Sequence, residues 1–318
     1  MLEVRNLKTY FYTRHGVIKA VDDISFSVAD EENFGLVGES GCGKSVTALS
    51  ILRLIPTPGI ICGGEIIFNG EDLLKKSDSE MRKIRGSGIS IILQDPLRSL
   101  NPAYTIGDQI GETVRIHQHL RGKSVLRKVV EMLKLVRLPA AEMRTRDYPH
   151  QMSGGMRQRV TGAIALACQP QVLIADEATT SLDVTIQAQY LNLLEQIQRE
   201  SGVSIIFITH NFGIIARMCD RVAVMYAGKI VEMGDVREIF DNPSHPYTEG
   251  LLRCLPKKSV TEKLVAIEGD VPDLGKLPSG CAFAPRCPDR KPICDEKYPE
   301  ETVINKHHRV SCWLRSSL

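Results

Sequence analysis

Gly38-Glu39-Ser40-Gly41-Cys42-Gly43-Lys44-Ser45 fits the pattern G-x-x-x-x-G-K-[ST] and lies between an apolar, strand-like run ending at Val37 and a helix-like run beginning at Val46. Glycines at those positions let the backbone curl until successive N–H groups point inward. The result is an anion nest at the positive end of the following helix. Lys44 is then expected on the β- and γ-phosphates of a nucleotide and Ser45 on Mg²⁺. Average residue usage produces the bare pattern in on the order of one chain in a hundred of this length, so accident is a weak explanation and the flanking pattern weakens it further.

The 318 residues suffice for one large domain with an appendage. The 40 basic and 38 acidic residues nearly cancel and no run of like charge stands out, which argues against nucleic acid as a partner and against a polybasic membrane anchor. The first twenty residues lack the apolar segment of a secretory signal, and no run of about 18 apolar residues occurs. A soluble, cytoplasmic chain is expected. Of nine cysteines, Cys281, Cys287, Cys294 and Cys312 crowd the C-terminal end. In a reducing compartment such a cluster reads as metal binding rather than disulfides.

Residues 2–37 read as three strands, the third (Phe34 to Val37) feeding the loop, and Val46 to Leu54 as a helix. Glu65 to Phe68 followed by Asn69-Gly70 signals a strand and tight turn in a hairpin outside the main sheet. After the strand Ile89 to Leu93, apolar residues recur at helical spacing (Ile106, Ile110, Val114; then Val125, Val129, Met132, Leu133, Val136), which predicts a helical insertion over about 95–150. Short buried runs return at Val172 to Ala175 and Ser204 to Thr209, as expected of a parallel α/β core. A strand pair over Arg221 to Tyr226 and Lys229 to Glu232 turns at Ala227-Gly228. From about 242 prolines multiply and periodicity fades, placing a boundary near 255–260.

A nucleotide cradle needs a metal ligand and a group that aims water. Val172 to Ala175 ends in Asp176-Glu177, which puts one carboxylate toward Mg²⁺ and the next toward the γ-phosphate. In isolation such a pair reads as a solvated acidic turn; downstream of a phosphate loop it reads as an ATPase. Between the two motifs Ser153-Gly154-Gly155 opens a helix-like segment, a second anion-binding terminus.

This order of motifs resembles the ATP-binding-cassette (ABC) ATPases, whose signature L-S-G-G-Q here reads Met152-Ser153-Gly154-Gly155-Met156. The resemblance implies the fold of that family: an α/β P-loop core with a parallel sheet, an antiparallel β-subdomain and a helical subdomain. It also implies roles. Gln94, in Gln94-Asp95-Pro96, would be the glutamine that touches Mg²⁺ and the attacking water. Asp183, in Ser181-Leu182-Asp183, would cross to a second subunit. His210, about 33 residues after Glu177, would be the switch histidine on the γ-phosphate. Phe11 aligns with the aromatic that stacks on adenine, with Tyr12 as its rival. Val46 replaces the usual threonine and Ala178 the usual proline, and neither change removes a ligand group. Gly38, Ser40, Gly41, Cys42, Gly43, Lys44, Ser45 and Val46 would line one face of ATP, and Ser153, Gly154, Gly155 and Asp183 of a partner the other, with Glu177 as general base.

Ser99-Leu100-Asn101-Pro102, Tyr148-Pro149-His150-Gln151, Asp183 to Gln189, Asn242 to Thr248 and the tail Gly280 to Pro288 narrow the resemblance to the dipeptide, oligopeptide and nickel importer ATPases. Their domain plan implies a nucleotide-binding domain at 1–255 and a C-terminal extension at 256–318. Their partners would be two membrane permease subunits, a second ATPase copy or homologue and, indirectly, an extracytoplasmic peptide-binding protein, with the chain held peripherally at the cytoplasmic face of the membrane. Nickel import and a non-transport ABC ATPase stay as alternatives. The tail spacing C-x5-C-x6-C-x17-C is neither a zinc-ribbon nor a ferredoxin pattern and leaves zinc, iron–sulfur and unligated thiols open. The resemblance points to a [4Fe-4S] cluster on Cys281, Cys287, Cys294 and Cys312. A tail with so little apolar content is expected to need a staple, and His307 and His308 are expected as exposed tail residues, with a place in a zinc site as the alternative.

Overall fold

The computed structural model describes residues 1–255 and 266–316. Along the chain, β1 (Leu2–Thr13), β2 (Gly16–Val28) and β3 (Asn33–Val37) lead into α1 (Lys44–Ile51), then β4 (Gly59–Phe68) and β5 (Glu71–Asp72). Next come α2 (Asp78–Ile84), β6 (Ile89–Ile92), α3 (Pro96–Ser99), α4 (Ile106–Gln118), α5 (Lys123–Leu135), α6 (Ala141–Arg144), α7 (Gly154–Leu166), β7 (Val172–Asp176) and α8 (Val184–Ser201). The remainder is β8 (Ser204–Thr209), α9 (Phe212–Met218), β9 (Arg221–Tyr226), β10 (Lys229–Asp235), α10 (Val236–Asp241), α11 (Pro246–Arg253), α12 (Ile293–Glu296), β11 (Thr302–Asn305) and β12 (His308–Val310).

Two compact units arise, one from residues 1–28, 33–74 and 208–318, the other from 29–32 and 75–207. The first holds an antiparallel sheet in the order β2-β1-β4-β5 and the run β11-β12-β10-β9-β3. Asn69 and Gly70, with φ of 52° and 83°, make the two-residue turn between β4 and β5. Within the run only β3 and β9 are parallel; β9, β10, β12 and β11 pair antiparallel in sequence.

In the second unit β6 and β7 pair in parallel from Ile89 opposite Val172 to Ile92 opposite Ala175. Every residue of β7 is buried, which is why that run is apolar without alternation. The helical spacing read between 95 and 150 becomes α4, with Ile106, Ile110 and Val114 buried, and α5, with Val125, Val129, Met132 and Leu133 buried. Thr105 caps α4 by accepting the N–H of Asp108 at 3.1 Å. Among the described residues no helix is long and apolar enough to cross a membrane.

The tail, where periodicity fades in the sequence, nevertheless forms regular structure. Its hairpin β11–β12 extends the run by pairing Glu232 with Val310 and Gly234 with His308. Phe283 packs edge-on against Tyr226 at 5.3 Å and is also 5.3 Å from Tyr247. His308 is buried, contrary to expectation: its Nε2 lies 2.7 Å from Glu232, which also accepts the N–H groups of Ser244 (2.6 Å) and His245 (3.0 Å). His307 is half exposed, 3.3 Å from Asp235. Strand pairing and an aromatic cluster thus tie the tail to β10, Tyr226 and Tyr247. Of the boundary expected near 255–260, residues 256–260 lie outside the described ones.

His245 is 2% exposed, and its Nδ1 accepts the N–H of Tyr247 at 3.0 Å. Burial pushes its pKa down to about 4, against the pull of Glu232. Below its ordinary value of 6.5 the unfolded chain takes up a proton that the folded chain refuses, so this contribution is complete above about pH 6.5 and is lost as pH falls toward 4. Urea midpoints of the wild type should therefore drop more steeply over that window than those of His245→Asn, whose Oδ1 can accept the same N–H. Superimposable pH profiles would refute the assignment.

Candidate functional site

The phosphate-loop pattern sits at the end of β3, held in register by β9 from Phe34 opposite Arg221 to Val37 opposite Val224. Gly43 is the N-cap of α1, so the helix begins at Lys44, two residues before the run that marked it in the sequence. Gly41 and Gly43 have φ of 81° and 105°. A Cβ on Gly43 would stand 2.1 Å from the Ala20 carbonyl oxygen and one on Gly38 2.1 Å from that of Met225, whereas Gly41 faces open space. Two of these glycines are thus required by crowding and the third by its backbone angle alone.

Lys44 is 5% exposed. Its Nζ donates to the carbonyls of Gly38 (2.8 Å) and Glu39 (2.9 Å) and lies 3.6 Å from the Cys42 sulfur. The buried ammonium is therefore satisfied by the loop's own backbone. Burial raises the Cys42 thiol pKa, which leaves it an apolar packing group rather than a nucleophile. Ser40 and Ser45 are exposed and Val46 is half-buried. Glu39, absent from the sequence-based site, is tied on both ends. Its N–H donates to the Tyr247 hydroxyl at 2.9 Å, and its carboxylate takes a bidentate pair from Arg286. Arg286 lies within the tail stretch Gly280 to Pro288, and nothing in its spacing links it to the loop.

On β1, Phe11 and Tyr12 point to opposite faces. The Phe11 ring lies so close to Gly59 that a Cβ there would be 2.7 Å from it, while the Tyr12 hydroxyl reaches the exposed Cys62 sulfur at 3.5 Å. His210 follows the last residue of β8 and is exposed, just ahead of Asn211, the N-cap of α9.

In the second unit, the parallel pairing of β6 and β7 brings their C-terminal ends together. Asp176 closes β7 and is 4% exposed. Glu177, one residue on, has φ 46°, a left-handed conformation rarely adopted by a non-glycine residue and found where surroundings over-determine it. Gln94 Nε2 donates to its Oε2 at 2.7 Å, and Thr180 adds a longer bond of 3.3 Å. Gln94 and Glu177, 83 residues apart, are thus in direct contact.

Ser153 is the N-cap of α7, accepting the N–H of Met156 at 3.3 Å. Asp183 caps α8 by accepting the N–H of Ile186 at 2.9 Å. Both caps, with Gly154, Gly155, Arg137 and Arg159, line one cavity of about 690 Å³. A Cβ on Gly155 would meet Ile186 at 2.8 Å, whereas Gly154 opens to free space. Two helix N-termini and two guanidinium groups on one cavity make an anion-accepting surface.

Cys281, Cys287, Cys294 and Cys312 line one small pocket with His245 and Trp313. All but Cys287 are buried. Burial pushes the Cys281 thiol up to about 11 and raises those of Cys287 and Cys312 as well. Among the described residues, no three His, Cys, Asp or Glu side chains are grouped closely enough to hold a metal ion. The expected ligand set therefore converges without closing around a single ion.

The family model for the ABC transporter matches residues 21–180, and that for the oligopeptide/dipeptide transporter C-terminal region matches 231–294. The chain is 50% identical over 317 residues to the dipeptide transport ATP-binding protein DppD of Bacillus subtilis, an alignment covering 99% of this chain and 95% of that protein. It is 50% identical over 325 residues to a putative peptide import ATP-binding protein of Brucella ovis, with 98% and 96% covered. An ATP-binding cassette solved as a dimer in a post-hydrolysis state bound to ADP and Pi shares the fold, with a TM-score of 0.68 at 24% identity over 74% of this chain and 99% of that one. A glycine-curled phosphate loop, a glutamine–glutamate contact at parallel strand ends and half-identity along the whole length place the chain in the ABC transporter family, among its peptide-import ATP-binding proteins.

Proposed function

We propose that the chain hydrolyses ATP to drive peptide import, working as one half of an ATPase pair beneath two membrane permease subunits at the cytoplasmic face, with an extracytoplasmic peptide-binding protein delivering cargo. The observation that carries this is the loop at Gly38 to Ser45, curled by crowded glycines around a buried Lys44 in a chain half-identical, end to end, to peptide importers. We read residues 1–255 as the nucleotide-binding domain, with a helical subdomain at about 95–150, and 256–318 as the extension.

Lys44 and the N–H groups of residues 41–45 bind the phosphates, and Phe11 or Tyr12 carries the adenine. The hydroxyl, amide and carboxylate oxygens of Ser45, Gln94 and Asp176 are a donor set suited to Mg²⁺, which neutralises phosphate charge when bound. Glu177, aimed by Gln94, takes a proton from the attacking water, and His210 steadies the γ-phosphate. Ser153, Gly154, Gly155 and Asp183 meet the nucleotide held on the other subunit's loop. The pair closes while the γ-phosphate bridges both surfaces and opens once it is cleaved. Nickel is disfavoured as cargo because the relatives at half-identity are named for peptides. ATP-dependent uptake of labelled dipeptide by proteoliposomes holding the chain and its co-purified permeases tests this. Uptake of nickel and no peptide would defeat it.

We further assign Cys281, Cys287, Cys294 and Cys312 to a [4Fe-4S] cluster. What supports this is four thiols from separate segments lining one pocket, with zinc as the alternative occupant. The cluster would let these buried thiols ionise and would cross-link the tail. Anaerobically purified protein should carry iron and acid-labile sulfide, lost on Cys312→Ser; stoichiometric zinc without iron would reject the assignment.

A further inference from the structure

Arg286 immediately precedes Cys287, 247 positions from Glu39 in sequence, yet the two side chains meet in a fork: Nη1 to Oε2 at 2.8 Å and Nη2 to Oε1 at 3.0 Å. Nε donates to the Glu268 carbonyl at 3.0 Å, and Nη1 also reaches the Tyr226 hydroxyl at 3.3 Å. The rings of Tyr226 and Phe283 each lie 5.9 Å from the guanidinium carbon. The arginine side chain is 5% exposed and the glutamate's 26%, so this is no solvent-separated surface pair. A bidentate fork fixes orientation as well as distance, which a lysine could not do. Glu39 is thereby held at every polar group: carboxylate by Arg286, N–H by Tyr247, carbonyl by Lys44.

We propose that Arg286 is a positioning residue for the phosphate loop. By gripping Glu39 it sets the peptide planes at the start of the anion nest and cancels a carboxylate that would otherwise repel incoming phosphate. The inference rests on the reading of this loop as a nucleotide site. It gives the C-terminal extension a direct hold on nucleotide affinity, because any movement of the segment from Cys281 to Cys287 moves the arginine with it.

The test titrates Mg-ATP into the full-length wild type, Arg286→Met, Arg286→Lys, Glu39→Gln and the double variant Glu39→Gln/Arg286→Met. Removing the arginine alone should weaken binding about tenfold or more, the scale of a lost charged hydrogen-bond pair. Arg286→Lys, which keeps the charge without the fork, should lose less. Glu39→Gln, which keeps one acceptor for the guanidinium but loses the fork, should weaken binding a few-fold, and the double variant should recover the part of the Arg286→Met loss that comes from the uncancelled carboxylate. In steady-state hydrolysis the deficit should fall on KM rather than kcat. A purely structural strut predicts that the double variant binds as badly as Arg286→Met. That result, or unchanged binding in Arg286→Met and Arg286→Lys alike, overturns the proposal. If the wild type binds ATP and Lys44→Ala abolishes binding, the loop reading stands whatever the arginine does; if the wild type itself fails to bind, the loop reading fails and the proposal with it.

Discussion

Glu177→Gln should bind Mg-ATP within a few-fold of the wild type and hydrolyse it at least about a hundredfold more slowly, the range expected when a general base is removed. Glutamine keeps the length of the side chain and can still offer an oxygen to Gln94 Nε2, the partner 2.7 Å away, so the local hydrogen bond and the left-handed backbone at φ 46° need not change. What disappears is the capacity to accept a proton from water. Binding, carried by Lys44 and the loop amides, has no reason to follow. Single-turnover hydrolysis measured beside equilibrium nucleotide binding separates the two, and ATP-loaded dimer should accumulate on size exclusion because opening waits on cleavage. Hydrolysis at the wild-type rate would remove Glu177 from its role; loss of binding along with hydrolysis would show that the substitution had disturbed the strand end instead.

Gly43→Ala should be the most damaging single methyl in the loop. Two costs combine. At φ 105° a side chain carries a backbone penalty of about 1–3 kcal/mol. Its Cβ would also stand 2.1 Å from the Ala20 carbonyl oxygen of β2 and 2.8 Å from Met225, so either α1 or the strand must move. A total loss above about 3 kcal/mol in urea unfolding is expected, with nucleotide binding weakened about a hundredfold or more because the first turn of α1 carries Lys44 and Ser45. Gly41→Ala is the control. Its φ is 81° but nothing lies within 4 Å of the added carbon, so only the backbone penalty should appear, about 1 kcal/mol. Equal damage from the two alanines would mean that crowding at Ala20 does not set the loop.

The elements that carry nucleotide chemistry were legible because each is written locally. A strand, a glycine-rich turn and a helix are contiguous, and so are an apolar strand and the two carboxylates at its end. The same holds for Ser153 and Asp183, whose caps need partners only three residues away. The tail was misread where its structure is non-local. His308 looked exposed because its neighbours are polar; it is buried by a hairpin that pairs with β10 and by Glu232, 76 residues earlier. The cysteine spacing named the residues that meet but not how closely.

Periodicity and local motifs were enough to specify a phosphate loop, a strand ending in two carboxylates and capped helices, since those features depend on backbone preferences within a few residues of each other, and the resemblance carried by the order of the motifs supplied the ATPase cassette. Tertiary structure alone decided which distant groups would touch: Gln94 with Glu177, Tyr247 and Arg286 with Glu39, Glu232 with His308. Such pairings are set by strand order and chain crossing, and the free energy of a buried charge finding its partner has no signature in the spacing of either residue.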